Sequence, residues 1–391
     1  MARRIIVVAF AVLVVGCSSP PDPRGIAITN VTVIDAVNGV RGNQTVAIAG
    51  DEILSVSPAG DAPDAAKSID GTGKFLIPGL WDMHVHLTYD DDFTDIMPGL
   101  FLDYGITSVR DTGGLMHELV PVVEKMRAAG AVAPRVFFSG PLLDGEYVVY
   151  DGVAQQEVGI QNTTPEMAEA NFVALKNQGV DFIKIYEMVS EDVFETLVRL
   201  AGEHGLPIAA HVPLSLTASS AGPRVGSMEH LRNVEMDCAG NATELQETRL
   251  ALLENADGVD GSTLRFSMHT LQRLPAITVE DSSRCDRVLA SLTSTIQVPT
   301  ARLNALDILL PMDRLDWDAA VARLPDTVPE PWLSVPYWIA EDPEERDTRY
   351  AEWSLAMIGR MNAAGVPVGA GTDTPIGTAI PGYSLHNELD L

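Results

Sequence analysis

The sequence predicts an α/β protein: a (β/α)8 TIM barrel behind a small N-terminal β-sandwich module. Three observations predict it. From residue 79 onward, short apolar runs alternate with segments of helical spacing. The runs that read as strands in that region number eight. Before residue 79 the pattern differs, with short alternating strands separated by turn dipeptides. Alternating βα units argue for parallel strands covered by helices, and eight of them argue for a barrel. No internal sequence repeat is visible.

The elements follow in order. Ile26 to Ile34 alternates apolar and polar residues and turns at Asn38-Gly39. Thr45 to Ala49 and Glu52 to Val56 bracket Gly50-Asp51, and Ser68 to Asp70 leads through Gly71 and Gly73. This is the signature of a small β module over 26–78. The barrel, over 79–391, opens with the strand that ends His84-Val85-His86. Ile106 to Asp111 and Arg135 to Ser139 follow as strands, with a helix at Leu119 to Ala129 between them. Thr164-Pro165-Glu166 starts the next helix, a capping threonine with proline in the first turn. Asp181 to Tyr186 is a strand, Glu191 to His204 a helix that closes at Gly205, and Pro207 to Val212, Ser227 to Leu231, Ser294 to Pro299 and Val366 to Asp373 are the remaining strands. The two long connections are 240–293 and 301–364. The second ends in an expected amphipathic helix, Pro343 to Ala363, with Tyr350, Trp353, Met357 and Met361 on the side that packs on the barrel.

A formal net charge of −28 over 391 residues excludes a nucleic-acid binder, which needs a basic surface. Arg3, Arg4 and the apolar run Ile5 to Val15 make a signal peptide over 1–16, too short to span a bilayer. Val14-Val15-Gly16-Cys17 resembles a bacterial lipobox, with Cys17 as the lipidated residue and 17–25 as a short tether. Ser18 after the cysteine favours the outer membrane. The expected location is the cell envelope, lipid-anchored on the extracytoplasmic (periplasmic) side. Cys238 and Cys285 then form an even pair in an oxidising compartment. A disulfide and two buried thiols both fit, since sequence does not show whether the two meet.

The positions that carry chemistry are strand ends. His84 and His86 end the first barrel strand, Lys184 lies late in the fourth, His211 ends the fifth, His230 the sixth and Asp373 the eighth. Residues i and i+2 of a strand share a face, so His84 and His86 project together. In a barrel the C-terminal strand ends converge on one mouth. Each residue alone also has a structural reading: Lys184 snorkelling, His211 and His230 as satisfied core histidines, Asp373 as a cap. Five strand ends carrying only metal-compatible groups favour a metal site. Tyr147 and Tyr150, in the loop after the third strand, and Tyr186, on the same side as Lys184, are candidate substrate-binding residues, with ordinary loop tyrosines as the alternative. Arg110 and Asp111 read as a structural ion pair. His117, His204 and His269 fit no strand end and receive no role.

Taken together, Pro78 to His86, Ile183-Lys184-Ile185-Tyr186, Ala210-His211, Glu229-His230 and Gly371 to Pro375 resemble the amidohydrolase superfamily, in its imidazolonepropionase-like and prolidase-like branch with a binuclear centre. The resemblance implies His84, His86 and Asp373 on one ion, His211 and His230 on a second, and Lys184 bridging both as an N-carboxylated lysine formed from CO2. It implies a hydroxide between the ions as the nucleophile and Asp373 as the catalytic group that accepts and passes on its proton. Zinc suits imidazole and carboxylate ligands, and water on it has a pKa of about 7. The implied activity is hydrolysis of a carbon–nitrogen bond in a small molecule or short peptide, such as a dipeptide or N-acyl amino acid. A cyclic-amide hydrolase resembling imidazolonepropionase and a non-catalytic lipoprotein that has kept the fold are the alternatives. An oligomer is compatible with the sequence. The resemblance also implies further helix and strands after Leu391. The barrel therefore reads as truncated after its eighth strand, as a fragment of a longer product or a shortened variant.

Overall fold

In the computed structural model, residues 25–60, 64–153, 155–256 and 258–391 are described. Cys17, the signal peptide and most of the tether lie outside the described residues. The chain divides into two compact units, 1–78 and 79–391.

The first unit is one sheet rather than the expected sandwich. Its strands are β1 (Ile26–Asp35), β2 (Gly39–Ala49), β3 (Glu52–Pro58), β4 (Lys67–Asp70) and β5 (Phe75–Leu76). The order is β3-β2-β1-β4, with β5 also on β1. Val31, Val33 and Val46 are buried on it, whereas Ile53, Leu54 and Phe75 are exposed. A sandwich would need a second sheet against such residues, and the described residues of this unit form a single sheet.

The second unit holds β6 (Leu80–Val85), β7 (Ile106–Asp111), β8 (Arg135–Phe138), β9 (Leu142–Asp144), β10 (Gly159–Gln161), β11 (Ile183–Ile185), β12 (Ile208–Ala210), β13 (Ser227–Glu229) and β14 (Ile296–Val298). They fall into two parallel sheets, β6-β7-β8 and β10-β9-β11-β12-β13-β14. A single closed ladder of eight strands is not formed among the described residues. Gly140-Pro141 explains one interruption: Gly140 has φ +74°, and proline lacks the N–H a ladder needs. The chain on one side of this break pairs with β7 and on the other with β11. The eighth predicted strand is extended but too irregular for a ladder. Its Gly369 N–H donates to Gln297 O at 2.8 Å, and Ala370 O and Thr374 O accept from Met83 N and His86 N at 3.0 and 2.9 Å. It thus spans from β14 to β6 by isolated bridges.

Helices cover these strands as their sequences require. Helix Pro165–Asn177 is capped by Thr164, whose side chain accepts from Met167 N. Helix Glu191–His204 buries Val193, Phe194, Leu197, Leu200 and Ala201, a stripe at helical spacing, and ends at Gly205 with φ +65°. Full burial of a Leu or Phe stabilises by about 1.5–3 kcal/mol. The predicted helix from Pro343 starts later, at Arg349, after a 3-10 turn over Pro343–Glu345. Its Met357 and Met361 join the core, and Trp353 donates Nε1–H to Glu280 at 2.9 Å. The last helix is Tyr383–Asp390. No helix among the described residues is long and apolar enough to cross a membrane.

Cys238 and Cys285 are joined, S–S 2.04 Å, tying helix Val234–Cys238 to helix Ser282–Ser291 across 47 residues of chain. By loop-closure entropy such a link contributes about 4 kcal/mol at most. Reduction, or Cys285→Ser, is expected to lower the thermal midpoint clearly in calorimetry. An unchanged midpoint would mean that the link does not constrain the unfolded chain.

Candidate metal centre

The strand ends bring the predicted residues together. His84 lies in β6 and His86 just beyond it, His211 follows β12, His230 follows β13, Lys184 is the middle residue of β11, and Asp373 closes the eighth extended segment. All six are at least nine-tenths buried. Asp373 Oδ1 is 3.2 Å from His84 Nε2 and 3.1 Å from His86 Nε2, and Oδ2 is 3.9 Å from His230 Nε2. The His211 ring lies 4.5 Å from that of His230 and 6.5 Å from that of His84, centre to centre.

Gly371 lets the eighth segment approach β6 this closely. A Cβ there would sit 2.8 Å from His84 Cβ and 2.6 Å from Val298 Cγ1. Asp82 fastens the same seam, its carboxylate accepting from Thr372 N and Thr372 Oγ1 at 3.0 and 2.7 Å. His230 and Asp373 hold φ +58° and +62°, as does Thr300 at +48°. For residues other than glycine, each such conformation costs about 1–3 kcal/mol and concentrates at functional sites.

The hydrogen bonds behind the imidazoles fix which nitrogen carries the proton. His84 Nδ1 donates to Glu229 Oε2 at 2.7 Å, His86 Nδ1 to Gly113 O at 2.9 Å, and His211 Nδ1 to Glu187 Oε1 at 2.8 Å. These partners only accept. His230 Nδ1 meets Thr300 Oγ1 at 2.6 Å, and that hydroxyl spends its own hydrogen on Pro299 O at 2.7 Å. It therefore accepts from His230. All four rings thus turn Nε2 inward, where the neutral imidazole carries its lone pair, the arrangement typical of metal-bound histidine. Lone pairs of Nε2 facing carboxylate oxygens at 3.1–3.2 Å need a cation or a shared proton between them.

Lys184 Nζ is buried with no hydrogen-bond partner. Burial lowers its pKa to about 8, so the neutral amine is readily reached. Burial pushes the Asp373 carboxyl up, but His84 and His230 outweigh it and hold the group ionised. Among the described residues, the tightest group able to hold a metal is His84, His230 and Asp373, whose ligand atoms lie within 4.8 Å of one another. That trio mixes the two sets which the resemblance gave to separate ions. The donor set, the committed Nδ1 protons and the orphaned Lys184 amine all fit divalent metal.

Arg110 does not pair with Asp111. It donates to Met83 O, Ser227 Oγ and Glu229 Oε1 at 2.6, 2.9 and 2.8 Å, whereas Asp111 accepts from Leu87 N and Gly113 N. Arg110 thereby holds the carboxylate that orients His84. Sequence reasoning missed Glu187 and Glu229, although both adjoin residues it chose. It also left His269 without a role, yet His269 Nε2 lies 2.5 Å from Glu187 Oε2, behind His211. His117 remains exposed beside Glu118, and His204 packs on Phe172.

The candidate tyrosines form an arc over the histidines. The Tyr186 ring is 4.3 Å from His211 and 5.8 Å from Tyr150. Tyr89, absent from the expected set, continues it, 6.3 Å from Tyr150 and 5.9 Å from His86. Tyr147 packs at the edge of the adjoining apolar cluster of Leu142, Val149, Leu214 and Met268.

No family model matches the chain. Over 146 residues it is 28% identical to an imidazolonepropionase of Chloroflexus aggregans, 32% of this chain and 33% of that protein. Over 73 residues it is 39% identical to a 5-methylthioadenosine/S-adenosylhomocysteine deaminase of Pelotomaculum thermopropionicum, 17% of each chain. The chain thus spans a third or less of the length of these curated relatives. Solved structures match far more of it. Bottromycin amidohydrolase superposes with a TM-score of 0.61 at 22% identity over 94% of this chain and 73% of its own. A Xaa-Pro dipeptidase with bound methionine gives 0.61 at 15% identity over 93% and 83%. The fold is shared with these solved structures.

Glu229→Gln should leave His84 present but poorly oriented. Zinc affinity is expected to fall about 10–100-fold, as when other outer partners of metal-bound histidine are lost. Competition with a chromophoric chelator measures it, and unchanged affinity would remove Glu229 from the centre.

Proposed function

We propose that this protein is a metal-dependent amidohydrolase that cleaves a carbon–nitrogen bond of a small substrate, such as a dipeptide or an N-acyl amino acid. The observation that carries this reading is the set of four buried imidazoles with Nδ1–H committed outward and Nε2 turned toward Asp373. His84, His86, His211, His230 and Asp373 would hold two divalent ions, zinc being preferred by this imidazole and carboxylate donor set, with Lys184 joining as its carboxylated form. Such ions, when bound, supply Lewis acidity for the substrate carbonyl and bring water to a pKa of about 7.

The chain's own residues do the rest. Asp373, ionised and in contact with three imidazoles, accepts the proton of the attacking water and returns it to the leaving nitrogen. The carbon–oxygen bond forms as the carbon–nitrogen bond breaks, and one carboxylate and one amine leave. Proton transfer of this kind contributes about 10²–10⁴ in rate. Glu187 and Glu229 keep His211 and His84 in the required tautomer. The Tyr89, Tyr150 and Tyr186 arc lines the approach.

The local match to imidazolonepropionase supports a second reading, hydrolysis of a cyclic amide. Location separates the two. We place the protein on the extracytoplasmic side, anchored through Cys17, and the Cys238–Cys285 bond supports an oxidising compartment. An exported enzyme fits peptides and acyl amino acids better.

Zinc-loaded protein is expected to hydrolyse members of a panel of dipeptides and N-acyl amino acids, and Asp373→Asn to lower kcat by about 10² or more. Turnover confined to imidazolones would favour the second reading. Lys184→Ala should abolish hydrolysis and reduce bound metal. An active, fully loaded variant would remove Lys184 from the centre.

A further inference from the structure

Helix Gly261–Thr278 lies in a connection for which the sequence offered no role. It carries Arg265 and His269, four residues apart and hence on one face, to Glu187. That carboxylate is fully buried and crowded: Oε1 accepts from His211 Nδ1 and Arg265 Nε at 2.8 and 2.9 Å and faces Arg232 Nε at 3.2 Å, while Oε2 meets His269. Oε1 thus takes two hydrogen bonds and Oε2 one. Burial holds His269 down to about 4, so it adds no charge. Two guanidinium ions therefore share one carboxylate. Arg232 also interacts with buried Glu235, whereas the carboxylate that acts on Arg265 is Glu187.

Arg265 is the better placed of the two to meet a further anion. A fifth of its side chain is exposed, against 11% for Arg232. Its guanidinium carbon lies 5.8 Å from the centre of the Tyr186 ring, which in turn stacks on His211. Glu187 takes Nε, and the terminal nitrogens make no hydrogen bond to it. The helix is pressed on the tyrosine loop: a Cβ at Gly261 would meet Val148 O at 2.5 Å and Tyr147 O at 2.6 Å. Arg265 thus closes one end of the aromatic arc that runs from His86 through Tyr89, Tyr150 and Tyr186 to His211.

We propose that Arg265 anchors a carboxylate of the substrate through its terminal nitrogens, while the Tyr89–Tyr150–Tyr186 arc receives an apolar or aromatic side chain of the same residue. The proposal rests on the hydrolase reading for its substrate class and narrows it to acyl amino acids or peptides with a free C-terminal carboxylate. A guanidinium matches a carboxylate in shape and charge, and charge-assisted pairs of this kind are the strong ones.

The test uses the zinc-loaded full chain with N-acetyl-L-phenylalanine and its C-terminal amide, in both calorimetric binding and acetate release. Wild type should bind the acid about 10–100-fold more tightly than the amide, the worth of a hydrogen-bonded charge. Arg265→Met should bring the two within about twofold, and Arg265→Lys should recover part of the difference. Equal binding of acid and amide by wild type overturns the proposal. So does an undiminished preference in either variant. A defect that falls equally on acid and amide, accompanied by metal loss, would make Arg265 a support for Glu187 alone and also overturns it. Should Arg265→Met not fold, Arg265→Lys and the wild-type ratio decide. If the acid preference depends on Arg265 but neither compound is hydrolysed, the anchor stands and the hydrolase reading falls.

Discussion

Asp373 lies within 3.2 Å of two imidazole nitrogens and 3.9 Å of a third, contacts that require a proton or a metal ion between nitrogen and oxygen. Each ring has already given its Nδ1 proton to an oxygen behind it. When the rings are neutral, lone pairs face lone pairs in a buried site and repel, and low local dielectric strengthens the repulsion. A divalent cation reverses the sign of that interaction. The arrangement of strands, glycines and outer carboxylates serves to hold this opposition in place.

The cost is distributed over the scaffold. Left-handed backbone at His230, Thr300 and Asp373 is unfavourable by itself. It persists because both sides of each turn are fastened. Asp82 grips Thr372, Arg110 and Ser227 grip Glu229, and the segment before Asp373 bonds to β14 and β6 in turn. Beneath them a continuous apolar core runs from Val85 through Phe172, Phe194 and Met228 to Leu385. Rigid packing of this kind keeps ligands within the tolerance that metal chemistry demands.

Much of this was legible in the sequence, for a physical reason. Parallel strands deliver their C-terminal ends to one side, so His84, Lys184, His211, His230 and Asp373 could be grouped from strand assignments alone. Helix Glu191–His204 was legible to its last residue because a stripe of apolar residues ends at a glycine. What failed was what depends on tertiary placement. Glu187 and Glu229 look like ordinary acids after a strand. The i, i+4 spacing of Arg265 and His269 says that they share a face but not that it meets Glu187. Tyr89 belongs to the arc only because the loop after β6 turns toward Tyr150. The sandwich became one sheet, and the closed ladder broke where Gly140-Pro141 diverts the chain from one sheet to the next.

The insert helix changes how the site is understood. Its cationic Arg265 and neutral His269 converge on the carboxylate that orients His211, so the connection shapes the centre as well as its rim. Full-chain protein saturated with zinc, freed of excess by dialysis and analysed by elemental mass spectrometry is predicted to retain about two ions per chain. Clearly less than one would contradict it, because the four inward nitrogens would then have no cation to share.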